Sequence, residues 1–318
     1  MQYLTFSNGD QMPALGLGTW KSAPGKVGQA VREAIRTGYR HIDCAAIYGN
    51  EAEIGEALDD AMKSGEISRD DLWITSKLWN NAHAKDQVPI ALAKTLTDLR
   101  IDYLDLYLVH WPVAIKADVV FPKRSDQFLS LDDLPLAETW SGMESCVADG
   151  FTRHIGVSNF HPGHIRQISR DAAIMPEMNQ VEMHPYLQQQ TLRNFCKEQG
   201  IHITAYAPLG SGDRPKSMKQ AQEKSLLDNP VVQRIAQSRS CSPAQVLIQW
   251  ALQQDVAVIP KSTNPARIAE NLQAAEITLT EQDRTDLAQL ECGQRYVDGA
   301  FWTIEGSPYT LDALWGTP

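Results

Sequence analysis

The chain lacks most of the features that mark specialised proteins. It has five cysteines, Cys44, Cys146, Cys196, Cys241 and Cys292, an odd number at wide spacing with no Cys-x-x-Cys pair. That excludes a disulfide framework and argues against a structural zinc site. Basic side chains are outnumbered, 29 against 39 acidic ones, so the formal net charge is −10 and the pI is near 5.3. Nucleic-acid or polybasic membrane-surface binding needs the opposite excess, because phosphates must be neutralised. Only a local basic pocket for one small anion stays open. No apolar run approaches the ~20 residues of a membrane-spanning helix. The N-terminus has neither the basic nor the apolar stretch of a secretion signal, and no Asn-x-Ser/Thr sequon occurs, which together predict a cytoplasmic protein.

Several nucleotide and nucleophile signatures are also missing. After the first strand pattern, Gly16-Leu17-Gly18-Thr19-Trp20 supplies two glycines and then a bulky tryptophan where a dinucleotide fold would bring its backbone against a pyrophosphate. There is no GxxxxGK[ST], no GxSxG and no Tyr-x-x-x-Lys. A doubly wound sheet is therefore the weaker of two α/β readings.

What is present is an ordinary globular composition, 43% hydrophobic and 21% charged over 318 residues. At ~150 residues per domain two domains are the starting expectation, but an α/β barrel reaches ~250 residues as one. No linker, low-complexity segment or charge block divides the chain, so residues 1–318 read as a single domain. It opens as a hairpin: alternation up to Phe6, a turn at Asn8-Gly9-Asp10, and a return strand into Met12-Pro13. Short apolar runs follow at 15–18, 41–44, 72–76, 104–109, 154–157, 178–181, 201–205 and 256–259. Between them lie amphipathic stretches such as 27–36, 51–64, 87–99, 190–199, 230–239 and 265–274. Eight such units predict a (β/α)8 TIM barrel capped by the N-terminal β-hairpin. Segments 113–136 and 208–228 are longer than connecting loops usually are, and both leave the C-terminal end of a strand, the face where barrel active sites are built. Residues 293–318 carry five aromatics with no helical period and read as a long C-terminal loop over one barrel mouth.

Polar residues gather at the expected strand ends. Lys77 at a strand end is costly to bury unless paired, and Asp43 on the adjacent strand is a suitable partner. Tyr48 lies in the loop after Asp43. With a cation behind it, its hydroxyl is expected to have a lowered pKa and to donate a proton to a carbonyl oxygen that becomes an alkoxide. His110, ending the fourth strand, is placed to orient that carbonyl or share the proton. Taken singly, a strand-end Asp–Lys pair is more often a rim salt bridge and a lone His a hydrogen-bonded core residue; four such groups on three successive strands favour chemistry. Trp20, Trp79 and Trp111 fall on the same face, where apolar walls suit an aldehyde or ketone, although packing is the usual fate of tryptophan. On later strands Ser158, Asn159 and Gln180 can hydrogen-bond a carboxamide, and Tyr206 offers a flat face to a nicotinamide. Lys261, Ser262 and Thr263 run into a helix near Pro265, so an anion can meet its N-terminus together with Lys261 and Arg267; simple capping would look similar.

These motifs resemble the aldo-keto reductase family nearly end to end. The matching stretches include Gly38-Tyr39-Arg40-His41-Ile42-Asp43-Cys44-Ala45-Ala46-Ile47-Tyr48-Gly49-Asn50-Glu51 and Ile74-Thr75-Ser76-Lys77-Leu78-Trp79. They continue through Asp105-Leu106-Tyr107-Leu108-Val109-His110-Trp111-Pro112, Gly156-Val157-Ser158-Asn159-Phe160 and Asn179-Gln180-Val181-Glu182. Ala205-Tyr206-Ala207-Pro208-Leu209-Gly210 and Ile259-Pro260-Lys261-Ser262 complete the series in family order. The resemblance implies an NADP(H)-dependent reductase of aldehydes and ketones with Tyr48 as general acid, Lys77 and Asp43 tuning it through a Tyr48–Lys77 hydrogen bond, and His110 placing the substrate oxygen. It implies a cofactor against Gly18, Thr19, Trp20, Asp43, Ser158, Asn159, Gln180 and Tyr206, covered by Leu209 and Ser211. Lys261, Ser262, Thr263 and Arg267 match positions that hold the adenosine 2′-phosphate, which favours NADPH over NADH, and Glu270 and Asn271 match positions near the adenine. Trp20, Tyr48, Trp79, His110, Trp111, Phe121 and Trp302 are the expected substrate contacts, with Trp140 a further candidate for the outer pocket. The tail looks more like that of the general aldehyde reductases than of the aldose type. A small-molecule carbonyl substrate, no metal and a monomer are expected. Two other readings stay open: a Schiff-base aldolase using Lys77, which the neighbouring Asp43 disfavours, and a cofactor-sensing, non-catalytic subunit.

Overall fold

The computed structural model describes residues 2–219 and 223–316. Parts of two segments singled out in the sequence, residues 220–222 of 208–228 and 317–318 of the tail, lie outside the described residues.

Residues Tyr3–Thr5 and Gln11–Pro13 pair antiparallel, with Leu4 opposite Met12. Those two point inward while Tyr3 and Thr5 face solvent, the period-two pattern of a strand with one buried face. Just beyond, Phe6 packs its ring 5.1 Å from Trp73 and 4.2 Å from His154, fastening the hairpin across the N-terminal end of the barrel.

The barrel strands are β1 (Leu17–Gly18), β2 (His41–Asp43), β3 (Trp73–Leu78), β4 (Leu104–Val109), β5 (Thr152–Ser158), β6 (Met178–Glu182), β7 (His202–Tyr206) and β8 (Ala257–Val258). All pair parallel in sequence order. Isolated parallel bridges Leu15 to Val258 and Gly18 to Lys261 join the two edges and close the barrel. Backbone bonds such as Gly16 N to Val258 O (2.9 Å) and Gly18 N to Pro260 O (3.2 Å) support the closure. Here the two glycines of the first strand find their use: a Cβ on Gly16 would sit 2.6 Å from the His41 ring, and one on Gly18 2.6 Å from the Ile259 carbonyl. They let strands approach rather than cradle a pyrophosphate. Every residue of β2, β3, β4 and β6 is buried, as parallel strands between an inner core and an outer helical layer must be. Their sequences therefore lack the polar-out alternation of a half-exposed strand, and the polar residues they carry, such as Lys77, Asp105, Asn179 and Glu182, are buried too.

The helices cover the outside. Val27–Thr37 buries Val27, Ala30, Val31, Ala34 and Ile35, a stripe at three- and four-residue spacing, and stops at Gly38, whose left-handed φ of 113° turns the chain back. Helix Pro243–Leu252 is buried at every position from Gln245 onward, so it has no polar face for periodicity to reveal.

At the C-terminal mouth, segment 113–136 carries a small antiparallel pair, Ala114–Ile115 with Phe128–Leu129. The tail differs from its expected irregularity in one respect: it ends in a short helix, Leu311–Trp315. Thr310 caps it, its hydroxyl accepting from Ala313 N at 3.1 Å; five residues are too few to show a period in the sequence. Tyr309 pins the tail to segment 113–136, donating to the Leu129 carbonyl at 2.7 Å and accepting from Ala114 N at 2.8 Å. Among the described residues no helix is long and apolar enough to cross a membrane.

Candidate active site

Asp43 ends β2, Lys77 lies one residue from the end of β3, and His110 directly follows β4. Tyr48 closes the turn Ala46–Tyr48, which Gly49 ends at a left-handed φ of 66°. All four come together, as the sequence led us to expect. Lys77 is fully buried, and its ammonium is stabilised there by Asp43 Oδ1 at 2.5 Å and the Cys44 carbonyl at 2.8 Å. The other oxygen of Asp43 accepts from Gln180 Nε2 at 2.7 Å, and the Asp43 carbonyl accepts from the Thr19 hydroxyl at 2.7 Å. One carboxylate thus joins β2, β3 and β6 beneath the mouth.

The Tyr48 ring centre is 5.2 Å from Lys77 Nζ and 5.9 Å, edge-on, from the His110 ring. Its hydroxyl is not lowered as the sequence reading expected. Burial, reinforced by Asp43, Cys44 and Glu51, pushes it well above its ordinary value. The reason is local: Asp43 neutralises the ammonium, whose two hydrogen bonds go to Asp43 and Cys44 rather than to the phenol. His110 is shifted the other way from a charged acid. Burial, then Lys77 and His83, hold its imidazole well below the ordinary histidine value, so it is neutral, and its Nδ1 is buried without a protein partner.

These groups face a cavity of about 840 Å³. At one side its wall is aromatic, with Trp20, Trp79, Trp111 and Phe121, where the sequence placed them. Trp79 Nε1 donates to the Val120 carbonyl at 2.8 Å and Phe121 stands edge-on to Trp79 at 5.3 Å, so segment 113–136 is tied down over the pocket. Trp302 is displaced from its expected role: it is 0% exposed and lies one layer back, 5.7 Å from Trp79 and 6.0 Å from Trp111. Val297 and Phe301 supply the tail's contribution to the wall instead. Trp140 is elsewhere altogether, on the inward face of helix Leu136–Ala148 with its indole N–H on the Ile174 carbonyl at 2.8 Å.

On the opposite side Gly18, Ser158, Asn159, Gln180 and Tyr206 line the cavity. Asn159 sits at a left-handed φ of 64°, which asparagine tolerates better than most residues. Its amide N–H reaches the His110 carbonyl at 3.0 Å, and its Oδ1 accepts from the Tyr206 hydroxyl at 2.7 Å. Farther out, Leu209, Ser211, Lys261, Ser262, Thr263 and Arg267 continue the wall. Glu270 and Asn271 follow on the next turn of helix Pro265–Gln273, beside this wall rather than among the residues lining it; the Glu270 carbonyl accepts from Gln245 and Asn271 is buried.

Two residues that sequence reasoning passed over cross this outer part. Asp213, in the segment after β7, accepts from Lys21 at 2.7 Å and from Lys261 at 3.0 Å, bridging the ends of the first and last strands. Burial opposes the Asp213 charge, but the two ammonium groups outweigh it and hold the carboxyl at about 2. Partners 192 residues apart leave no local signal; the position of Lys21 just past Trp20 was the one available hint.

Comparison with known proteins agrees with this arrangement. Residues 14–291 match the model of the aldo/keto reductase family. An aldo/keto reductase of Synechocystis sp. is 55% identical over 99% of this chain and 96% of its own length. Human aldo-keto reductase family 1 member A1 is 45% identical over 96% of this chain and 94% of its own. The solved aldose reductase of Schistosoma japonicum superposes with a TM-score of 0.85 at 40% identity, covering 94% of this chain and 97% of that one. A barrel of this topology, with these side chains at its C-terminal mouth and relatives matching along nearly its whole length, belongs to the aldo/keto reductase family of oxidoreductases.

Proposed function

We propose that this protein reduces aldehydes and ketones to alcohols with NADPH, using Tyr48 as the general acid. The observation that carries the reading is that Tyr48 and His110 share one cavity with Ser158, Asn159, Gln180, Tyr206, Lys261 and Arg267. The donor set fits the cofactor. Tyr206 offers a ring for stacking, and Gln180 keeps its carbonyl oxygen free of protein donors for a carboxamide. Lys261, Arg267 and the start of helix Pro265–Gln273 form a cationic end that gains from a 2′-phosphate and has nothing comparable to offer a bare ribose hydroxyl.

When bound, the reduced nicotinamide supplies the hydride. The chain's own groups do the rest. Aromatic walls exclude water and hold the carbonyl carbon close to the donor. Neutral His110 orients the oxygen, and Tyr48, protonated across the physiological range, gives its proton as negative charge develops there. The buried Asp43–Lys77 pair keeps a fixed cation beneath the phenol and orients Gln180 through the shared carboxylate. Lys77 is fully buried and does not line the cavity, which speaks against it as a Schiff-base nucleophile. Among the described residues, the aromatic wall formed by Trp20, Trp79, Trp111, Phe121, Val297 and Phe301 carries no charged side chain, which suits uncharged, apolar carbonyl compounds.

The test is the loss of reduced-nicotinamide absorbance with an activated aromatic aldehyde, run with NADPH and separately with NADH. Strong turnover with NADPH and weak turnover with NADH is the expected result. Equal rates would remove the phosphate-site argument. Tight NADPH binding without turnover would favour the cofactor-sensing subunit, and elution as anything larger than a monomer on a sizing column would strengthen that alternative.

A further inference from the structure

Of the motif Asn179-Gln180-Val181-Glu182, the proposed reaction uses only Gln180. Glu182 closes the same strand, directly beside Tyr206 in the parallel register, and its side chain is completely buried. Its carboxylate has no Lys or Arg within ion-pairing distance among the described residues. It is instead satisfied by hydrogen bonds. Oε1 accepts from His184 Nε2 at 2.9 Å and from Tyr296 N at 2.6 Å, and Oε2 accepts from Val297 N at 2.7 Å. Two successive backbone N–H groups of the tail therefore rest on one buried anion. Such a group is expensive to bury, and the bonds it makes are of the strong, charge-assisted kind.

The place it grips matters. Val297, held by Oε2, is on the cavity wall, and Phe301 follows it there. Downstream, the tail's hold on the other wall comes at Tyr309. Tyr296, held by Oε1, faces the segment that follows β7. Its hydroxyl donates to the Lys224 carbonyl at 2.6 Å, and the Arg214 guanidinium lies 4.9 Å from its ring centre. A Cβ on Gly210, whose left-handed φ is 83°, would come within 3.2 Å of that ring. The same segment supplies Leu209 and Ser211 to the cofactor side of the cavity. A residue pair fixed by one carboxylate thus meets the segment after β7 with one side chain and lines the cavity with the other.

We propose that Glu182 is a positioning residue that anchors the substrate-side wall at Val297 and, through Tyr296, couples that wall to the seating of the cofactor cover. The coupling rests on the NADPH reading above; the anchoring does not.

The experiment uses the full chain and three variants, Glu182→Gln, Tyr296→Phe and Val297→Ala. NADPH affinity is followed by quenching of tryptophan fluorescence, and amide hydrogen exchange is followed in the peptide spanning 295–302. Without cofactor, Glu182→Gln speeds exchange in that peptide, because the two amides lose their charged acceptor. NADPH slows exchange there in the wild type and fails to do so in Tyr296→Phe. In turnover, Glu182→Gln and Val297→Ala raise KM for a bulky aromatic aldehyde about tenfold, while kcat moves by less than about threefold and propanal is little affected. A merely structural role would shift both aldehydes together and would overturn the anchoring. NADPH that binds the wild type tightly yet leaves tail exchange unchanged would overturn the coupling. NADPH that does not bind at all would instead sink the cofactor reading. Should Glu182→Gln fail to fold, the exchange of the wild type and Tyr296→Phe, together with the Val297→Ala kinetics, decides the matter.

Discussion

A buried histidine stands at each end of the barrel, and the two are pushed in opposite directions. At the C-terminal mouth His110 is 8% exposed, pairs with no carboxylate among the described residues, and is held well below the ordinary histidine value by burial and by Lys77. At the hairpin end His154 is even less exposed, 2%, yet its value is raised. Burial opposes its charge too, but Nδ1 meets Glu177 Oε2 at 2.9 Å and Nε2 meets Asp10 Oδ2 at 3.0 Å, and those partners win. Burial alone does not decide the charge of a side chain; the contacts made inside the protein do. The hairpin end uses a histidine whose charged form is favoured as a fastener between Asp10 of the hairpin and Glu177 beside β6. The mouth keeps its histidine neutral and the buried ammonium of Lys77 paired with Asp43, and in the proposed reaction a protonated phenol is the group that moves a proton.

The contrast is broken most sharply at Tyr48. Tyr48→Phe should lower kcat for aldehyde reduction by about a thousandfold or more, the scale of a lost general acid, with NADPH affinity unchanged. Retention of a tenth of the activity would transfer the acid role to another group. Next in size is Lys77→Met, which leaves Asp43 buried with only Gln180 for support. Urea unfolding should show a loss of ~3–5 kcal/mol, the penalty of an orphaned buried charge. A loss under ~1 kcal/mol would mean that Asp43 is indifferent to the ammonium.

The same substitution logic gives a smaller answer at the hairpin end. The Asp10 side chain is 38% exposed and that of Glu177 21%, so both can turn to water if His154 is removed. His154→Gln should therefore cost about 1–2 kcal/mol, and its pH dependence has a definite sign. A histidine whose folded value is raised stabilises fully below the unfolded value, and that contribution fades as pH rises through the folded value. The difference in Tm between wild type and His154→Gln should thus be larger at pH 5.5 than at pH 9. His41, His83 and His164 act with the opposite sign. Burial lowers them to about 4, about 3 and about 3, so the unfolded chain binds protons first and both proteins lose stability as pH falls below about 6.5. A Tm difference independent of pH would show that His154 acts by packing against Phe6 and Trp73 rather than by charge.

The barrel was legible because fully buried parallel strands write themselves as apolar runs, and because a polar residue ending such a run is conspicuous. Asp43, Lys77, His110, Gln180 and Tyr206 all stood out in that way. The misplacements share a cause as well. A tryptophan's sequence position says that it is buried but not in which layer, so Trp302 behind the wall and Trp140 under a helix looked no different from Trp79 on it. Glu270 and Asn271 lie one turn beyond Arg267 on the same helix, next to the cavity's outer end rather than in its lining. Lys21 with Asp213, and Glu182 with Tyr296, join strand ends to distant loops, and nothing local in either partner announces the other.

The smallest expected effect is a near absence of one. If His110 were a conventional acid, kcat/KM for reduction would fall along a limb near pH 6.5 as the imidazole lost its proton. Its lowered value puts that titration far to the acid side, and Tyr48, raised by burial, has not begun to ionise on the other. Neither group changes state between pH 5.5 and 7.5, so kcat/KM for an uncharged aldehyde should vary by less than about twofold across that window. Measuring the profile with both the wild type and His154→Gln separates the ends of the molecule: His154 titrates against stability alone, so the two profiles should superimpose wherever both proteins remain folded. A limb near pH 6.5 present in both would mean that the histidine at the mouth carries a proton after all, and that the opposition between the two ends is one of geometry without one of charge.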